Sequence, residues 1–360
     1  CLTSYQRERI YYIQFNKGHG KSVSLALWHW HIEISSKCTL KCPRCPRQEV
    51  PDTLVSTELK LDFFKQNFPA FFILEHVEKL TFCGDDGDPI YAHDFLEVIQ
   101  YFKSIKPSIA IIIVTNGSYK NEVWWTRLAE LLDEQDQIHF SIDGWDHESN
   151  NIYRINSNWS SIVTGVSIIN DKSKCYSVWD AIGFKFNEDK IGDMQNYARE
   201  LGFDAFQLTR STKFGKIYED SYGAQDALQP RDDLLSSSHR FEREVFKFTD
   251  KSIKEPWMKT NIKLYDESKL VGNERPLCHI GNKGSYINAR GEFYPCCWVA
   301  TRYGHNNKWN EIGKKYNLHE LRLPKIVKDK FWEADFIHDS YECQTKCAHH
   351  RVDKNYATEW

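Results

Sequence analysis

The chain has 360 residues, 41% of them hydrophobic, and a formal net charge of −3. A single core stops growing near about 250 to 300 residues, so one α/β domain with a smaller appendage is expected. The charge balance is that of an ordinary soluble chain rather than a polyanion binder, which leaves nucleic acid unsupported as a partner. No run of about 18 apolar residues supplies a membrane span.

In chain order, residues 1–24 are an N-terminal extension. Its first residues, CLTSYQRERIYY, lack the basic start, apolar run and cleavage site of a signal peptide, so a cytoplasmic location is expected. From Leu25 to Arg210 short strand-like runs alternate with amphipathic ones, the signature of βα units on a parallel sheet. The strand candidates are LALWHWHIEI, KLTFC, AIIIV, IHFSI, a run around WDAIGFKF, and AFQLTR. In the first, Trp28, Trp30, Ile32 and Ile34 share one face and His29, His31 and Glu33 the other. That polar row is expected to be hydrogen-bonded neighbours inside a wall rather than a second metal site. Between strands, Phe95, Val98, Ile99 and Phe102 fall on one helical stripe, and Ile191, Met194, Ala198 and Leu201 on another. Right-handed crossovers curl such a series into a partial (β/α)6 TIM-like barrel with reactive groups at the C-terminal strand ends. Residues 211–274 break the rhythm and form a bridging segment, and residues 275–360 open on a hairpin, GSYINARGEFYP, turning at Ala289-Arg290-Gly291.

Eleven cysteines fall mainly into groups: Cys38, Cys42 and Cys45; Cys278, Cys296 and Cys297; Cys343 and Cys347. Clustering of an odd number of thiols in a reducing compartment argues for metal over disulfides. Cys1, Cys83 and Cys175 stand apart, and the last two are expected to be buried and inert. CTLKCPRC puts three thiolates on one loop directly after the first strand. Three thiolates can hold three irons of a cubane and leave the fourth open for chemistry. A zinc knuckle would want a nearby fourth Cys or His, and Pro43, Arg44, Pro46 and Arg47 supply none.

That motif resembles the cluster loop of the radical S-adenosylmethionine (SAM) superfamily. The resemblance implies a 4Fe-4S cluster on Cys38, Cys42 and Cys45 with SAM on its open iron, although Arg44 stands where many members carry an aromatic residue. LTFCGDDGDPIYAHDF resembles the family's Gly-Gly-Glu-Pro segment: Gly87, Asp88 and Pro89 match its last three positions and would hold the methionyl ammonium, with Asp in place of Glu. In the same order along the chain, Asn116 in VTNG, Ser141 and Asp143 in FSIDG, and Arg154 in NNIYRINSNW match further SAM-binding positions.

Cys278, Gly291 and Cys296 fit C-x12-G-x4-C, with Cys343 and Cys347 farther on. This resembles the twitch and SPASM extensions of radical SAM enzymes, the shorter twitch form more closely, and implies an auxiliary 4Fe-4S cluster on Cys278, Cys296, Cys343 and Cys347. A structural zinc on the same four thiols is the alternative. Cys297 is an extra ligand, a small buried hydrophobe, or a hydrogen-atom donor. The activity implied is cleavage of SAM to a 5′-deoxyadenosyl radical that takes hydrogen from a peptide or protein, fed by a reductant such as flavodoxin or ferredoxin. The alternatives are a twitch-type dehydrogenase of a small alcohol or amine, and a non-enzymatic iron–sulfur or zinc module. Lys185, Asn187 and Arg210, at the ends of the last strands, are candidate substrate contacts; Lys185, Arg210 and Cys297 are the catalytic candidates.

Overall fold

The structure is a computed structural model that describes residues 29–210, 223, 228, 243–251, 285–294, 296–300 and 307–329. Six strands run parallel and in sequence order: β1 (His29–Ile32), β2 (Lys79–Phe82), β3 (Ala110–Thr115), β4 (Gln137–Ser141), β5 (Tyr176–Gly183) and β6 (Ala205–Arg210). These are the six runs expected from the sequence. β7 (Arg243–Lys247) adds antiparallel to β6. At the other edge β8 (Ser285–Ile287) pairs parallel with β1, and β9 (Phe293–Tyr294) returns antiparallel to β8. One nine-stranded sheet results, in the order β7-β6-β5-β4-β3-β2-β1-β8-β9. The C-terminal hairpin therefore extends the barrel sheet instead of standing apart from it.

Among the described residues eight helices come before β7: α1 (Pro46–Glu49), α2 (Leu61–Asn67), α3 (Ala70–His76), α4 (Phe95–Ile105), α5 (Glu122–Leu131), α6 (His147–Tyr153), α7 (Trp159–Lys172) and α8 (Ile191–Glu200). Two more, α9 (Asn307–Lys315) and α10 (Leu323–Asp329), follow β9. Several start on side-chain caps: Asn121 accepts from Trp124 N for α5, Asn158 from Ser161 N for α7, and Asp146 forms a capping box with Ser149 for α6. The stripe Phe95, Val98, Ile99 and Phe102 of α4 is buried, as are Met194 and Ala198 of α8. Among the described residues no helix is long and apolar enough to cross a membrane.

Parallel strands covered by helices alternate apolar and polar faces here because only one face meets the helices. On that face Phe82 meets Phe95 of α4 at 5.3 Å, Phe140 meets Trp125 of α5 at 5.6 Å, and Trp179 meets Tyr197 of α8 at 6.1 Å. The opposite face carries the alternate residues, polar ones such as His29, His31, Thr81, His139 and Asp180 beside an apolar patch of Tyr176, Val178 and Ala205. His29 sits 2.8 Å from Thr81 Oγ1, His31 is 3.0 Å from the Cys83 carbonyl, and His139 reaches Asp180. The polar row of β1 is thus a set of hydrogen-bonded neighbours on this inner face.

Candidate active site

The loop that follows β1 carries Cys38, Cys42 and Cys45. It is held at the C-terminal end of the sheet by backbone bonds to two other loops. Asp88 N donates to Lys37 O at 2.9 Å, and Lys41 N to Ile155 O at 2.9 Å. Asn156 adds a side-chain bond to Thr39 O, 2.8 Å. Arg47 ties the same loops from below the cysteines: its guanidinium donates to Ser36 O, to Asp86 O at 2.9 Å and to Cys38 O at 3.4 Å. Arg44, at the position where a resemblance-based reading expects an aromatic ring, is buried and ion-paired with Glu49. It folds back on α1.

Cys42 is buried, and Cys38 and Cys45 are half-buried; the three pack with Leu40, Tyr153, Ile182 and Phe184. Burial pushes the Cys38 and Cys42 thiols up to about 12, with the Asp88 charge adding to the effect at Cys38. Metal binding at such thiols has to displace their protons. Among the described residues no three His, Cys, Asp or Glu side chains converge where a single ion would sit. A cubane asks instead for thiols that each serve a separate iron, and three of them stand on this one loop.

Asp88 is the hub beside Cys38. Its carboxylate accepts from Ile90 N at 3.2 Å, from Thr115 Oγ1 at 2.9 Å, and from both Asn116 N and Asn116 Nδ2 at 2.6 Å. Asn116 Nδ2 also lies 3.6 Å from Cys38 Sγ. Burial raises the Asp88 carboxyl to about 6 against those donors. In this arrangement Asp88 is filled by protein donors and orients Asn116 against the cysteine loop. Two glycines make the approach feasible. A Cβ on Gly87 would lie 1.9 Å from Ser35 O, and Gly117 takes φ +70°, a left-handed conformation that turns the chain after Asn116. Pro89 follows as the first residue of a 3-10 turn.

At the ends of β4 and β5, Asp143 is fully buried. It accepts from Ile182 N at 2.7 Å and from Arg154 Nε at 2.6 Å. Burial raises its pKa and Arg154 opposes the shift. Arg154 thus arrives beside Cys42 already paired on its Nε edge. Ser141 ends β4 next to Asp180 of β5 in register.

The candidate substrate contacts are placed differently from one another. Asn187 is buried and closes the β5 loop, donating to Asp143 O and Ile182 O at 2.9 Å each and accepting from Phe184 N. Lys185 is exposed and ion-paired with Glu188 at 2.9 Å. Arg210 ends β6 opposite Gly183. Cys296 and Cys297 lie at a short 3-10 turn, half-buried against the main core, and burial keeps Cys297 protonated well past the usual thiol range. Cys278, Cys343 and Cys347 lie outside the described residues. Cys175 is buried and Cys83 half-buried, and burial pushes the Cys175 thiol up to about 12.

The sequence places Glu33 in the polar row of the first strand without naming its partners. Buried at the end of β1, it accepts from Asp86 N at 2.6 Å and Gly87 N at 3.1 Å with one oxygen. With the other it accepts from Tyr286 Oη at 3.1 Å and Ala289 N at 3.5 Å. One carboxylate therefore joins the loop after β2 to the C-terminal hairpin.

No protein-family model matches the chain. The antilisterial bacteriocin subtilosin biosynthesis protein AlbA of Bacillus subtilis is 22% identical over 325 residues, which are 89% of this chain and 64% of AlbA. The chain thus spans less than two thirds of that relative. Streptococcus suis SuiB bound to precursor peptide SuiA superposes with TM-score 0.52 at 15% identity, covering 94% of this chain and 80% of SuiB. The chain shares the SuiB fold. The native anSMEcpe structure with bound AdoMet and Cp18Cys peptide matches at TM-score 0.50 and 15% identity, over 88% of this chain and 85% of that one.

Proposed function

We propose that the chain is a radical SAM enzyme that takes hydrogen from a peptide substrate. The observation that carries this reading is the junction of the three-cysteine loop with the Asp88–Asn116 network at the C-terminal end of a parallel sheet. The substrate class is supported by the likeness to SuiB bound to its precursor peptide and to anSMEcpe bound to AdoMet and a peptide. Cys38, Cys42 and Cys45 would hold a 4Fe-4S cluster that leaves one iron open to SAM, and the bound pair would supply the hydrogen-atom abstraction. The chain's own residues hold and shape that site. Asp88 fixes Asn116 against Cys38, Gly87 admits the close approach of two loops, and Arg154 offers its remaining N–H groups beside Cys42 for a carboxylate. Asp143 keeps the guanidinium in place.

Cys278, Cys296, Cys343 and Cys347 are proposed to hold an auxiliary cluster that takes an electron from the substrate, and flavodoxin or ferredoxin to supply the priming electron. Full-length protein reconstituted anaerobically should carry close to eight irons, as two cubanes require, and form 5′-deoxyadenosine from SAM with a strong reductant. No 5′-deoxyadenosine above the level of a Cys38/Cys42/Cys45→Ala variant would refute the enzyme reading. Four irons with one zinc would remove the auxiliary cluster alone.

A further inference from the structure

The cysteine loop alternates along its length. Lys37, Thr39 and Lys41 are exposed, whereas Cys38 is half-buried and Leu40 and Cys42 are buried. The thiols therefore lie on the packed side, with Tyr153, Ile182 and Phe184, and the residues between them form an outer face directly behind them. Lys37 is ion-paired with Glu58 at 2.9 Å, but among the described residues Lys41 has no carboxylate within ion-pair distance. Two further loops widen this face. Thr39 Oγ1 donates to Tyr91 Oη at 2.8 Å, whose own proton goes to Ser118 O at 3.0 Å, and Asn156 Nδ2 donates to Thr39 O. Tyr119 Oη donates in turn to Asn156 Oδ1 at 3.2 Å. The next residue, Lys120, lies over the Trp124 ring at 4.9 Å and is likewise without an ion pair among the described residues. Among the described residues only Tyr119 and Asn156 take positive φ without being glycine, 64° and 71°, a left-handed conformation unfavourable for a side chain as large as tyrosine. Tyr119 nonetheless stays 46% exposed, as does Val123 at the start of α5 at 70%. Core packing does not account for an exposed ring held at such a φ, whereas a contact surface does.

We propose, on the radical SAM reading above, that this face receives the electron donor: an acidic carrier of the flavodoxin class, docked over Thr39 with carboxylates on Lys41 and Lys120. One peptide link separates exposed Thr39 from Cys38, so a donor docked here stands against the backbone that carries the thiols. The two unpaired lysines complement an acidic partner and steer its approach. The exposed apolar spot beside them suits the dimethylbenzene edge of a flavin. Encounters between electron carriers use small interfaces, which a face built from three loops can supply. The transfer moves one electron. The flavin hydroquinone becomes a semiquinone and releases a proton to water, and the electron enters at the cysteine loop and breaks the C5′–S bond of the SAM sulfonium, leaving methionine and the deoxyadenosyl radical.

The test uses anaerobically reconstituted full-length protein with SAM, driven either by flavodoxin hydroquinone or by dithionite, a small reductant that needs no docking face. The readouts are 5′-deoxyadenosine, iron content, and binding of oxidised flavodoxin by calorimetry. The parent should bind flavodoxin with an affinity that falls as salt rises past about 0.1 M, where the Debye length drops below about 10 Å. The double variant Lys41→Glu/Lys120→Gln should weaken that binding and slow flavodoxin-driven cleavage by about ten-fold or more. Its iron content and its dithionite-driven cleavage should match the parent. Tyr119→Gly, which relieves the left-handed strain and so favours the fold, should weaken flavodoxin binding with the same dithionite control; it decides the matter if the lysine variant perturbs the loop. Unchanged flavodoxin binding and flavodoxin-driven cleavage in these variants overturn the assignment and leave the face to another partner. An equal fall under dithionite also overturns it, since these residues would then belong to the SAM site. So does a parent that cleaves SAM with dithionite but neither binds flavodoxin nor accepts its electrons. A parent that cleaves SAM under neither reductant refutes the enzyme reading instead.

Discussion

Replacing Glu33 by Ala should cost about 3 kcal/mol of stability and loosen two loops at once. The magnitude follows from what the carboxylate leaves behind. Asp86 N, Gly87 N and the Tyr286 hydroxyl would lose their acceptor in a buried place. Each unsatisfied buried donor costs about 1 to 3 kcal/mol, and partial relaxation of the Asp86 loop favours the low end. Glu33→Gln keeps an acceptor for the Asp86 and Gly87 amides and should cost much less. Urea unfolding followed by tryptophan fluorescence measures both as shifts in midpoint. The charge adds a pH signature. Burial, reinforced by Asp86, raises the Glu33 carboxyl to about 7. The folded state then holds a proton that the unfolded chain releases near pH 4.5, so the Glu33 contribution is complete below that pH and is lost as pH rises to about 7. Asp88 and Asp143 slope the same way, so Glu33→Gln should flatten part of the decline and not all of it. A Glu33→Ala midpoint equal to that of Glu33→Gln, or a Glu33→Gln profile as steep as the parent's, would refute the reasoning.

Gly87→Ala should impair SAM binding and lower the urea midpoint, because its Cβ would fall 1.9 Å from Ser35 O; an unchanged midpoint would show that the loops can part freely. Asp88→Asn puts a donor against the Asn116 donors and should weaken SAM binding about ten-fold or more while iron content holds, and equal affinity would reduce the segment to a plain turn. Arg154→Ala strands the buried Asp143 charge and should cost about 3 kcal/mol in urea unfolding, whereas a loss below about 1 kcal/mol would mean Asp143 finds another partner or a proton.

The six parallel strands were legible because each is a short β-branched or aromatic run between amphipathic stripes, and the helix-facing stripe Phe95, Val98, Ile99 and Phe102 is buried as its spacing requires. The edges of the sheet were not. β8 reads locally as one arm of a hairpin, and nothing in GSYINARGEFYP specifies that its free edge will pair with β1 more than 250 residues earlier. Pairing partners are a property of topology, which periodicity does not encode.

The site divides along the same line. The cysteine spacing and the strand-end segments announce themselves because neighbouring residues must cooperate on one loop. Asn187 reads in the sequence as a strand-end substrate contact, whereas its side chain serves the amide of Phe184 three residues back and the carbonyls of Asp143 and Ile182. The role of Glu33 could not be read locally, because its partners Tyr286 and Ala289 lie 253 and 256 positions away. The alternation in LALWHWHIEI sets Glu33 on the polar face of β1, but a polar face shows only that polar partners exist. Asp180 is hidden in the same way: in YSVWDAIG it is one acid in an apolar run, and only strand register brings His139 to one oxygen and leaves the other unpaired. Local spacing therefore exposes residues that must cooperate on one loop, while residues that pair across strands emerge only when separate strands are laid side by side.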